Sequence, residues 1–128
     1  MLLIKKTHKS VDEAGQALEA AAAHQSFGVL AVHDLQATMA KKGVEFSNAC
    51  RIYEVCNPHQ AKKVLERNME VSTALPCRVS IYQGKDGGTE IATILPTMML
   101  DLYGVDDLKA VARDVEEKIT AMIEEAAA

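Results

Sequence analysis

Val11, Ala14, Leu18 and then Ala21 or Ala22 recur at the three- and four-residue spacing of one helix face. Ser10-Val11-Asp12-Glu13 is a capping-box pattern, in which Ser10 and Glu13 satisfy each other's backbone donors, so a helix starts at Ser10 and runs to about His24. Leu2, Leu3 and Ile4 before it form a short extended stretch. Phe27 to His33 is a continuous β-rich apolar run, which predicts a strand buried on both faces. Asp34 can cap a short helix over 35–42 that closes at Gly43, the residue most at ease in the left-handed conformation.

Cys50 to Cys56 alternates, with Cys50, Ile52, Glu54 and Cys56 on one face and Arg51, Tyr53 and Val55 on the other. Asn57-Pro58 supplies an N-cap and a proline at the first helical position, and Ala61, Val64 and Leu65 form the buried stripe of the helix that follows. Cys77 to Gln83 and Thr89 to Leu95 flank the turn residues Gly84 to Gly88, the clearest β-hairpin in the chain. Pro96 ends that hairpin, and Met98, Met99, Leu100 and Leu102 crowd a short segment that suits a lid or an interface. Leu108, Val111, Ala112, Val115, Ile119, Met122 and Ile123 then trace an amphipathic C-terminal helix.

This order predicts a single α+β domain over residues 1–128, with a mixed sheet built from strand-helix units, a hairpin in the C-terminal half and a C-terminal amphipathic helix. The length of 128 residues allows one core and one site. Hydrophobic residues at 48% and charged ones at 25% are those of a folded globular domain. A net charge of −4 lacks the basic excess that nucleic acids call for, and no apolar run approaches the roughly 18 residues of a membrane span. Three cysteines without a Cys-x-x-Cys pair point to reduced thiols and a cytoplasmic protein.

If the first three strands are parallel, as helical crossovers favour, their ends bring His8, His33, Asp34, Cys56 and Asn57 to one crevice. Cys56, just before a helix start, is the candidate nucleophile, because the helix N-terminus favours a thiolate. Cys77 reaches Cys56 if the chain runs back along the intervening helix, since about 12 helical residues rise about 18 Å and about six extended ones recover about 20 Å. If the two strands are instead parallel neighbours, Cys77 starts at the opposite edge and is a buried strand residue. Cys50 lies on the order of 20 Å from Cys56 along an extended strand and reads as core.

Cys56, His59, Cys77 and His33 are a conceivable zinc set, but the proline and capping asparagine between Cys56 and His59 argue for a helix start, so neither metal nor cofactor is expected. Asp34 reads as a cap rather than a partner of His33. Glu54, if buried, needs a cation such as Arg51 or Arg78.

Phe27-Gly28-Val29-Leu30, His33-Asp34, Tyr53 to Pro58, Ala61, Leu75-Pro76-Cys77-Arg78 and the hairpin ending in Pro96 together resemble the domain of unknown function 302 family. The most specific pieces are Glu54-Val55-Cys56-Asn57-Pro58 and Leu75-Pro76-Cys77-Arg78, and the resemblance covers residues 1 to 125 or so. It implies a compact α+β domain, a possible dimer and no established activity. Cys56 and Cys77 match the family's two cysteine positions, whereas Cys50 falls outside them.

The leading functional expectation is a thiol-based role, sulfur relay or redox, with Cys56 attacking and Cys77 resolving, served by a sulfur-carrying partner. His33, Asp34, Asn57 and Arg78 are the expected binding residues. The alternatives are a small-molecule-binding or sensing domain that uses the strand-end crevice, with the Met98 to Leu102 segment as lid, and a homodimeric assembly protein.

Overall fold

The computed structural model describes residues 2–104 and 106–128. The elements are β1 (Leu2–Thr7), α1 (Val11–His24), β2 (Gly28–Asp34), α2 (Leu35–Lys41), β3 (Cys50–Cys56), α3 (Pro58–Arg67), β4 (Cys77–Gln83), β5 (Thr89–Ile94), α4 (Pro96–Asp101) and α5 (Lys109–Ala127). A 3-10 turn, Met69–Ala74, follows α3. The helix boundaries follow the local chemistry. Ser10 and Glu13 close the capping box of α1, Asp34 Oδ1 accepts from the Ala37 N–H at 2.9 Å to cap α2, and Gly43 past its end has φ +76°.

The five strands lie in the order β1-β5-β4-β3-β2, and every pairing is antiparallel. The α+β class, the hairpin and the C-terminal helix are as the sequence predicts, but the sheet is antiparallel throughout rather than mixed. Only α1 acts as a true crossover, and it carries the chain between strands at opposite edges of the sheet. After β3 the chain goes out along α3 and returns through the 3-10 turn. Ten helical residues rise about 15 Å and six 3-10 residues recover about 12 Å, so β4 begins where β3 ends. Val55 therefore pairs with Cys77. The return segment is 3-10 rather than extended.

β2 corrects a second expectation. It is an edge strand with a bulge between Val29 and Ala31, and Leu30 and Val32 are exposed. As an edge strand its apolar run is not covered on both faces, and even Val32, which pairs with the core residue Tyr53, stays open. On one side of the sheet Leu18, Ala21 and Ala22 of α1 and Ile119, Met122 and Ile123 of α5 meet Tyr53, Val55, Val79, Ile81 and Ile91 in the main core. At the margin of the opposite face lie α4 and the end of the 3-10 turn with Leu75 and Pro76.

Gly15 sits in α1 against the ring of Tyr53, and a Cβ there would stand 2.9 Å from Tyr53 Cζ and closer still to the hydroxyl. Gly15→Ala is therefore expected to destabilise the fold. Overpacking of about 1–3 kcal/mol exceeds the roughly 1 kcal/mol that alanine adds in helix propensity. A urea titration reads the loss, which should shrink in the Tyr53→Phe background because the nearest obstructing atom is gone.

Candidate functional site

The antiparallel order splits the expected crevice. His33 and Asp34 belong to the end of β2 that faces the start of β3, where Asp34 pairs with Arg51, and His8 follows β1 at that same end. Cys56, Asn57, Cys77 and Arg78 lie at the other end, where β3 finishes and β4 begins. His33 Nε2 instead stands 2.6 Å from Glu54 Oε1, so the carboxylate beside His33 is on the neighbouring strand and not the adjacent Asp34. Arg51 turns to the helix side, where it contacts Asp12 of α1, while Glu54 points to the open face with Arg78 as its register partner. Cys50, half-buried, pairs with Tyr82 at the far end and is absent from the main core.

Where Cys56 and Cys77 meet, α3, the 3-10 turn, α4 and α5 close over the end of the sheet. They leave a cavity of about 60 Å³ whose wall is almost wholly apolar and includes Cys56, Gln60, Val64, Cys77, Met99 and Val115. A second, smaller core of Val64, Val71, Leu100, Leu108 and Ala112 packs beside it. Thr97 Oγ1 and the Thr97 N–H donate to Glu116 Oε1 at 2.6 and 3.2 Å, which fastens α4 to α5.

The helix start offers few free donors to a thiolate. Pro58 has no N–H, and Asn57 Oδ1 already accepts from the N–H groups of His59 and Gln60, at 3.1 and 3.3 Å. Asn57 is thus the cap of α3, and the donors that a Cys56 thiolate would use are taken. Burial then decides the thiol chemistry. It raises the Cys56 pKa, and it pushes Cys77 up to about 11, with the neighbouring Cys56 charge adding to the effect. All three cysteines are free. Among the described residues no three His, Cys, Asp or Glu side chains converge as metal ligands, and the β2 register places His33 five residues beyond Gly28, the partner of Cys56.

Gln60 is the residue that the sequence reading passed over. Its Nε2 donates to Asp114 Oδ2, which also receives Lys118 Nζ at 3.1 Å. A carboxylate offers only acceptors, so the amide must turn its nitrogen to Asp114 and leave Oε1 on the other side. That oxygen is buried and no group among the described residues donates to it. The signal lay in the helix period. Gln60 precedes Val64 by one turn and so falls on the buried stripe, where a polar residue is out of place.

The model of the family described as "Domain of unknown function DUF302" matches residues 3–126. The chain belongs to this family. A crystal structure of an uncharacterized conserved DUF302 protein from Bacillus stearothermophilus is similar to it at 31% identity and a TM-score of 0.92, over 98% of this chain and 97% of that one. No curated protein matches the chain. No helix among the described residues of this DUF302 domain is long and apolar enough to cross a membrane.

Proposed function

We propose that this DUF302 domain binds a small, mainly apolar molecule that carries one hydrogen-bond donor, in the cavity between the sheet end and α3, α4 and α5. The observation that carries this reading is Gln60, a residue of a mainly apolar cavity wall whose Oε1 is buried and receives no donor among the described residues. Such an atom costs about 1–3 kcal/mol relative to a satisfied one, and a ligand hydroxyl or N–H recovers that cost on binding. The rest of the wall, with Val64, Met99 and Val115, supplies apolar contact and the adaptable thioether suits irregular ligand shapes.

Ethanol and ethane, both small enough for a cavity of about 60 Å³, separate the polar from the apolar contribution, and chemical-shift titration gives both affinities. The alcohol should bind the wild type more tightly than the hydrocarbon by about 0.5–1.5 kcal/mol, or two- to tenfold, and the preference should vanish in Gln60→Leu. Absence of binding by either compound would sink the reading.

Thiol chemistry at Cys56 and Cys77 is the second reading, favoured by their shared cavity wall. It needs a thiolate near neutral pH, and the partial burial that raises both thiol pKa values, together with the engaged cap of α3, works against one. A sulfur-carrying partner would have to bring its own base. The cavity reading needs none.

A further inference from the structure

The face of the sheet turned away from α1 and α5 carries large apolar side chains into solvent. Leu2 is 58% exposed, Ile4 46% and Ile94 51%, and Leu102, at the end of α4 beside them, is 85% exposed. Such a continuous apolar surface is unusual on a monomer. It also has relief. Ser80 and Ala92, register partners on the central strands, have small side chains and lie in a trough of about 760 Å³ that is bounded by Ile52, Tyr82, Ile94 and Leu102.

We propose that this face binds a second copy of the chain across a two-fold axis, with Leu102 of each copy seated in the trough of the other. A closed two-fold contact requires one surface to carry both a projection and the hollow that receives it, and here the two lie side by side. The charges agree. Lys6 pairs in register with Glu90 and Arg78 with Glu54, so two cations and two anions balance on this face of a chain whose net charge is −4. An identical copy meets no net repulsion there, whereas a strongly acidic or basic partner finds no matching field.

The size is of the right order. Five strands about 4.8 Å apart and six residues of about 3.4 Å each give a footprint of roughly 24 by 20 Å. That is a projected area of about 480 Å² before side-chain relief is counted, against the roughly 800 Å² per partner of a standard interface. Leu75, Pro76, Cys77 and Met99 line both the trough and the cavity behind it, so the second copy would cover the outer side of the cavity wall. The dimer stands on the open face alone and does not depend on the ligand reading.

Sedimentation velocity of the full chain over a dilution series tests it, with Leu102→Asp and Ser80→Arg as variants and far-UV circular dichroism as the check on folding. The expected result is twice the chain mass for the wild type and the single mass for both variants at the same concentration, with unchanged spectra. A wild type of single mass at about 100 μM, far above the micromolar dissociation constants of ordinary dimers, overturns the proposal and leaves the face to a different protein or a small molecule. A dimer that survives both substitutions also overturns it, because the contact then lies elsewhere. Alcohol binding at Gln60 is read separately, so either proposal can fail alone.

Discussion

Alkylation of Cys77 in the native protein at neutral pH is expected to be about a hundredfold slower than in the unfolded chain, because burial lifts its pKa from 9.0 to about 11 and the thiolate is the reacting species. The same shift links stability to pH. Below pH 9 both states hold the proton and the thiol contributes no pH dependence. Between pH 9 and about 11 the unfolded chain releases it while the folded chain retains it, so stability falls by about 2–3 kcal/mol across that window. Cys77→Val should flatten this loss. The comparison must be made between variant and wild type, since burial and Glu90 also raise the Tyr82 pKa and add their own alkaline dependence. Urea melts at successive pH values give the slopes, and peptide mass spectrometry gives the labelling rates. Fast labelling of Cys77 at neutral pH would shift the balance towards thiol chemistry.

The elements were legible because their signals are local. Ser10 with Glu13, Asp34, Gly43 and Asn57-Pro58 each mark a helix end within a few residues, and the hairpin turn at Gly84 to Gly88 joins two alternating strands. The pairing was not legible in the same way. A helix between two strands suggests a crossover, but α3 and the 3-10 turn cancel each other's rise, and nothing in the local sequence fixes that return. The whole site hinges on that step. With β3 and β4 antiparallel, Cys56 and Cys77 come together while His33 and Asp34 go to the other end.

Cys56 shows a different limit. A cysteine before a helix reads as an activated thiol only if the first backbone donors are available, and Asn57, recognised as a cap from the start, consumes two of them. The residue that identifies the helix start is thus the one that weakens the thiol argument. Gln60 was overlooked for the opposite reason. Its neighbours Ala61, Val64 and Leu65 fitted the stripe, and the unmet acceptor becomes visible only when Asp114, 54 residues away, fixes the amide. The local pattern supplied the cap, and the long-range contact supplied the candidate ligand site.

Leu100→Ala joins the stability of α4 to the volume of the cavity and is expected to cost about 2–5 kcal/mol. Leu100 is buried, packs with Val64, Val71, Leu108 and Ala112, and forms part of the cavity wall. Truncation adds empty volume to a space of about 60 Å³ that already exists, and the Thr97 bonds to Glu116 hold α4 to α5 against collapse. The cost should therefore lie above that of a site free to close. The enlarged space should also admit benzene, which is compact, apolar and too large for the small wild-type cavity. At about ten times its dissociation constant, benzene then restores about 1.4 kcal/mol to the variant and leaves the wild type nearly unchanged. Thermal melts of both proteins with and without benzene measure the two effects together. A loss below about 1 kcal/mol with no response to benzene would mean that Leu100 does not bound the cavity and that α4 is not the wall a ligand has to pass.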